Sequence, residues 1–274
     1  MKSKNLFTIG ELSKICDLPV SALRHYDKVG VLKPVFVDPE SGYRYYDDDS
    51  IMRVSLLSVY KRYGFSLEKI GDLLRRNDLS DLRDSFTEKN KALDAEICYL
   101  QMTKCFFSEW ITLINEAESI LNGADPGISI RYIHYDGMRY RKPEILPYMK
   151  LKHLLVYTEG IKNGMSFTYG PLFLGFPSTE TRLSGDISQV DYYIAVHPDD
   201  PNDRETVTLG GYSAITAFHK GSYDTIGETY DKMFAWAKEH NFELRGDCLE
   251  RYVTDYWSSY NEDLFVTEVM LPLK

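Results

Sequence analysis

Cysteine is scarce in this chain of 274 residues: Cys16, Cys98, Cys105 and Cys248 are the four present, and none belongs to a CxxC pair. Such spacing supports neither a zinc knuckle nor the dense disulfide framework of a small secreted domain, so the thiols read as reduced and structural. Cys98 and Cys105, seven positions apart on one expected helix, leave a thiol or metal sensor as an alternative. No apolar run approaches the roughly eighteen residues that a membrane-spanning helix needs. The opening MKSKNLFTIGEL also lacks the apolar stretch of a signal peptide, so a cytoplasmic chain with no membrane partner is expected. GxSxG, P-loop, HExxH and Rossmann glycine patterns are missing, and no two of the six histidines share a metal-ligand spacing. Hence no cofactor and no metal is expected.

Net positive charge is missing as well, since 32 Lys and Arg stand against 41 Asp and Glu for a formal charge of −9. The deficit is not uniform: residues 1–79 carry thirteen cations against eleven anions, and the acidity falls in the remainder. Any phosphate contact by the first third must therefore come from local placement of Arg and Lys rather than from a general field. What the chain does have is apolar and aromatic material, 43% and 14% of residues, enough to build a core in each of two domains.

Thr8 precedes Ile9, Leu12 and Ile15 at helical spacing, and Glu11 follows it by three, the pattern of a helix with a capping box. Asp17-Leu18-Pro19 interrupts that helix. Pro19 suits the first turn of a second one, in which Val20, Leu23, Tyr26 and Asp27 recur until Gly30 closes it. Two short helices about a tight turn make a helix-turn-helix, and its second helix offers Ser21, Arg24 and His25 to the base edges of a major groove. The plain alternative is a solvated polar face. Val35-Phe36-Val37, the turn Asp38-Pro39-Glu40-Ser41-Gly42 and Tyr43-Arg44-Tyr45-Tyr46 form a hairpin, a wing whose Arg44 sits among aromatics where it can lie against the sugar-phosphate backbone. A helix capped by Asp47-Asp48-Asp49-Ser50 follows, with Lys61-Arg62 near its end, and Ser66 caps another.

The segments TIGELSKICDLPVSALRHYDKVGVLKP, SGYRYYDDDSIMRV and YGFSLEKIGDLL together resemble the MerR family of transcription regulators over residues 7–76. The resemblance implies a dimeric regulator that binds double-stranded promoter DNA and acts with RNA polymerase at the promoter. Ser21, Arg24, His25, Tyr26, Tyr43, Arg44 and Lys61 are the expected DNA-contacting set. His25 departs from the family pattern, which commonly has an aromatic Tyr there.

Glycine and proline are absent from residues 82–122, which allows one long helix. Phe86, Leu93, Leu100, Phe107, Ile114 and Leu121 fall at steps of seven, with Ile97 and Ile111 on the adjoining seam. Asn90, Lys104 and Glu118 interrupt that second seam. A helix buried against its own domain is the alternative, but an antiparallel helix pair joining two subunits is what the family resemblance implies, and a two-fold dimer calls for a near-palindromic operator.

Beyond the break at residues 122–127 the pattern changes to short strands separated by helices, an α+β arrangement of roughly two βαββ halves. Helices are expected over residues 147–159 and 223–240, and strands over 128–135, 139–141, 167–176, 192–197, 212–218, 249–256 and 265–271. The segment GGYSAITAFHKGSYDTIGETYDKMFAWAKEHNFELRGDCLERYVTDY with FVTEVMLPL resembles the GyrI-like effector-binding domain of multidrug-sensing regulators. The expected organisation is thus a winged helix-turn-helix over residues 1–79, a dimerisation helix over 80–122 and an effector domain over 128–274.

Glu250 lies inside an expected strand, where an inward acid is costly unless a cation satisfies it. A solvent-facing Glu250, or one paired with Arg131, Arg245 or Arg251, is the alternative. The resemblance places such an acid at the base of an aromatic pocket, with Tyr148, Tyr169, Phe218, Tyr252 and Phe265 as candidate walls. Aromatic rings over a buried carboxylate suit a lipophilic, cationic small molecule. The family resemblance also leaves open a hydrolase using Glu250 as a general base. The regulator that it implies works by distorting a promoter when ligand binds.

Overall fold

The computed structural model describes residues 5–76, 78–141, 149–151, 168–196 and 206–274. The chain divides into two compact units, Met1–Asp94 and Ala95–Lys274.

In the first unit, α1 (Ile9–Cys16) starts at the expected capping box: the Thr8 hydroxyl accepts from the Glu11 amide at 3.3 Å, and the Glu11 carboxylate accepts from the Thr8 amide at 2.8 Å. The helix stops where Asp17 turns left-handed at φ 51°. After Pro19 comes α2 (Val20–Lys28), and Gly30 at φ +78° redirects the chain, a conformation costly for other residues. The wing strands β2 (Phe36–Val37) and β3 (Arg44–Tyr46) pair antiparallel. A third strand, β1 (Phe7–Thr8), joins the far side of β3, so the wing is a sheet of order β1-β3-β2 rather than a bare hairpin. Asp47 and Ser50 form a second capping box at the start of α3 (Asp48–Arg62), and α4 (Leu67–Arg76) follows. Leu12, Leu23, Tyr26, Leu32, Leu57 and Ile70 make the core of this unit. Burying each such aliphatic side chain contributes roughly 1.5–3 kcal/mol, which is what holds these short helices together.

The long helix is α5 (Leu79–Ser119), 41 residues without a break. Its first turns belong to the first unit, where Phe86 packs 5.8 Å from both Tyr60 and Phe65 between ring centroids. Along the rest of the heptad, Leu93, Ile97, Leu100, Phe107, Ile111 and Ile114 are exposed in the single chain.

The second unit is built on a closed six-stranded antiparallel barrel of order β4-β6-β5-β8-β9-β7. Its strands are β4 (Ser129–Arg141), β5 (Thr168–Phe176), β6 (Asp191–Val196), β7 (Val207–Lys220), β8 (Cys248–Thr254) and β9 (Val266–Pro272). A short helix α6 (Thr179–Leu183) precedes β6, and α7 (Ile226–Glu239) links β7 to β8. The two expected strands at 128–135 and 139–141 are one strand with bulges. At one bulge Gly210 has φ +108°, and a Cβ there would stand 2.3 Å from the Ile133 carbonyl oxygen, so only glycine lets β7 close on β4. The order β7-α7-β8-β9 realises one βαββ half; the expected helix over 147–159 lies almost wholly outside the described residues.

Alternation divides the barrel's side chains into two sets. One set, with Leu174, Ile215, Tyr252, Val269 and Leu271, packs under Ile226, Tyr230 and Met233 of α7. The other includes Ile133, Phe173, Ala214, Leu249 and Met270. Arg251 pairs with Phe173 and Glu268 across the sheet and so falls in the second set, while Glu250, opposite Leu174 and Val269, falls in the first.

Candidate functional site

On α2 the side chains of Ser21, Arg24 and His25 are exposed, as a helix that presents its outer face to a groove requires. Tyr43 stands out from the wing at 61% exposure, and Lys61 is exposed on α3. Arg44 reaches from the wing to α2, where its Nε donates to Asp27 at 3.0 Å, fixing wing against helix. Tyr26 corrects the expected contact set: it is 2% exposed and packs in the core, with the Lys61 ammonium 5.7 Å from its ring centroid. Its helical spacing from Leu23 points it inward, where its ring lies beneath Lys61.

The C-terminal unit buries Glu250 completely, at 0% exposure. Its Oε1 accepts from Arg182 Nε at 2.7 Å and from the Tyr230 hydroxyl at 2.8 Å, and its Oε2 accepts from the Tyr252 hydroxyl. Burial, reinforced by the Glu250 charge, pushes both phenols well above their usual range, so they donate as neutral groups. Burial likewise lifts the neighbouring Cys248 thiol to about 12, which keeps it protonated. Burial alone would depress the Arg182 guanidinium, but Glu250 beside it more than reverses this. The counter-cation of Glu250 is thus internal, and it is Arg182 on α6, not Arg131, Arg245 or Arg251.

Tyr252 shares the Glu250 face as alternation requires. Phe265 is fully buried and stacks on Tyr223 at 5.2 Å, and Tyr223 meets Tyr252 edge-on at 5.6 Å, so Phe265 reaches the site through a ring that the sequence did not single out. Phe218 is a second correction: it pairs with Glu268 and packs against Val253, Val266 and the end of α5, in the set of side chains opposite to Glu250. Tyr148 lies outside the described residues, and of Tyr169 only the backbone is described, paired with Ala195. Three buried polar atoms of this region, Arg182 Nη2, Tyr223 OH and Thr267 Oγ1, have no partner among the described residues.

A cavity of about 90 Å³ opens in the same unit between α5 and the barrel, lined by Phe106 and Trp110 of α5 and by Leu172, Tyr192, Tyr252 and Asp255 of the barrel side. On the other side of β8, Arg251 donates through Nε to Glu268 at 2.7 Å and through both Nη atoms to Glu116 of α5. Arg131 donates to the second oxygen of Glu268, which is 0% exposed. Strand β8 thus carries Tyr252 to the cavity wall, with Glu250 buried on the same face of the strand, and Arg251 on the other face to Glu116 of α5. Tyr230 could have been read from the apolar stripe Ile226, Tyr230, Met233, Ala237 on α7; Arg182 and Glu116 carry no local signal, because only the tertiary fold brings them to β8.

Cys98 and Cys105 are free and partly buried on α5, and among the described residues no three metal-ligating side chains converge. Among the described residues no helix is long and apolar enough to cross a membrane.

Comparison with known proteins gives two family matches: residues 7–77 fit the MerR HTH family regulatory protein model, and residues 157–274 fit the GyrI-like small molecule binding domain model. The multidrug-efflux transporter 1 regulator of Bacillus subtilis is 24% identical over 283 residues, covering 98% of this chain and 92% of its own. The multidrug-efflux transporter 2 regulator of the same organism is 25% identical over 258 residues, covering 92% and 90%. Among solved structures, EcmrR in its DNA complex aligns over 98% of this chain and 99% of its own at 19% identity, with a TM-score of 0.41. The relatives are transcription regulators rather than enzymes. The chain therefore joins a MerR-type helix-turn-helix head, residues 7–77, to a C-terminal GyrI-like small-molecule-binding domain, residues 157–274.

Proposed function

We propose that the protein is a homodimer that binds a near-palindromic operator within a promoter. A lipophilic, cationic small molecule bound in the C-terminal unit then favours a conformation that bends and untwists the DNA, realigning the promoter for RNA polymerase. The observation that carries this reading is the cavity shared by α5 and the barrel, because a ligand there touches the helix that continues into the head unit. The apolar stripe from Leu93 to Ile114 supports the dimer: six large apolar side chains exposed along one helix suit a second copy of that helix better than water. The Glu250, Arg182, Tyr230 and Tyr252 cluster supports a preorganised floor to the ligand site, and Tyr252 belongs to both cluster and cavity.

On the head, Arg24 is the side chain best placed to read a base, since a guanidinium can bond a guanine edge through two donors. Arg24→Ala is expected to lose about 1–3 kcal/mol of discrimination between the operator and a scrambled duplex while retaining the salt-dependent background binding. Competition binding with the two duplexes measures this. An unchanged ratio of affinities would remove Arg24 from the readout.

A further inference from the structure

We infer that Asp255, rather than Glu250, supplies the counter-charge for a cationic ligand, and that a compact quaternary ammonium or protonated amine head is held between Asp255 and the aromatic rings of Phe106, Trp110 and Trp257. This rests on the reading of the C-terminal unit as the ligand sensor.

The Glu250 charge is already matched, because Arg182 donates to it at 2.7 Å and is itself buried. A ligand cation reaching Glu250 would have to displace a guanidinium that has no water to retreat to, at a desolvation cost of several kcal/mol. Asp255 is different. It is 4% exposed, its Oδ1 accepts from the Trp257 amide at 2.8 Å, and no cation pairs with it among the described residues. It borders the cavity between α5 and the barrel, together with Phe106, Trp110, Tyr192, Tyr252 and Trp257. A buried carboxylate facing aromatic rings is the arrangement that attracts organic cations, the rings through their quadrupoles and the acid through its charge. Burial pushes the Asp255 carboxyl up to about 6, so its ionised form is costly without a partner, and a bound cation would recover that cost. The cavity of about 90 Å³ is small against the roughly 300–1,000 Å³ of pockets that enclose a whole drug-sized ligand, which matches a head group rather than the full molecule. Since Phe106 and Trp110 lie on α5, the head group would bear directly on that helix.

Choline and its uncharged isostere, in which a tert-butyl group replaces the trimethylammonium, test the assignment by calorimetric titration of the full-length protein. The unsubstituted protein is expected to bind choline at least about tenfold more tightly than the isostere, and Asp255→Asn to bring that ratio near one while leaving isostere affinity within about twofold. The amide conserves the shape of the side chain and its bond from the Trp257 amide, and a thermal melt checks that the variant is folded. A choline preference that survives Asp255→Asn, or a protein that does not prefer choline at all, overturns the inference. Operator binding that still responds to a lipophilic cationic dye in that event leaves the sensor reading standing and removes only Asp255; loss of both responses removes the sensor as well.

Discussion

Glu250→Gln is expected to destabilise the C-terminal unit by about 3–5 kcal/mol, a large part of the stability of a typical domain. The substitution conserves shape but removes the charge that faces Arg182, leaving a guanidinium at 7% exposure with no counter-ion. It also introduces an amide NH2 into a ring of donors, since Arg182 Nε and the hydroxyls of Tyr230 and Tyr252 all point hydrogens at this carboxylate. Urea unfolding followed by far-ultraviolet circular dichroism reads the loss as a lower midpoint for the C-terminal transition. Combining Glu250→Gln with Arg182→Met removes both charges and is expected to recover most of the loss, because it is the unpaired survivor that is costly. A single variant within about 1 kcal/mol of the parent would show that the pair is not the structural element described here.

Arg251→Gln is expected to cost about 3 kcal/mol and to uncouple ligand from DNA. Arg251 is 8% exposed and serves two acids on different elements, Glu268 of β9 and Glu116 of α5. Its loss leaves Glu268, fully buried, with Arg131 as its remaining cation, and leaves Glu116 without the bond that ties α5 to β8. The milder Glu116→Gln separates the two effects, since the Glu116 side chain is 31% exposed and no buried acid is stranded. For that variant, stability is expected to change by less than about 1 kcal/mol and dye affinity to remain within about twofold, while the effect of dye on operator binding falls. An intact DNA response in Glu116→Gln would place the coupling elsewhere than β8 and α5.

The head was legible almost completely because each of its elements is fixed by local chemistry: Thr8 with Glu11, Asp17 with Pro19, Gly30, and Asp47 with Ser50 set helix ends within a few residues of themselves. The burial of Tyr26 is legible too, since it stands three residues after Leu23 on the apolar stripe of α2; its place in the expected contact set comes from the family resemblance and not from that spacing. The strands of the effector unit were visible from alternation, but barrel closure was not, since it depends on β4 meeting β7 some eighty residues later at the Gly210 bulge. Alternation also placed Tyr252 beside Glu250. It could not place Phe218, whose face depends on the register of β7 against β9. Arg182 and Glu116 come from separate elements and share no spacing with β8 that a linear reading can detect, while Asp255, just past the end of β8, follows an irregularity between Tyr252 and Thr254 that simple alternation does not foresee.

Fluorescence anisotropy of the duplex upstream of the protein's own gene, compared with a scrambled duplex and repeated with a lipophilic cationic dye, tests the central claim most directly. A ligand-responsive regulator binds the native duplex more tightly, by a factor on the order of 10³ at physiological salt, and its binding or the DNA-bound anisotropy shifts when dye is present. Equal, salt-sensitive binding to both duplexes, unchanged by dye, would contradict it.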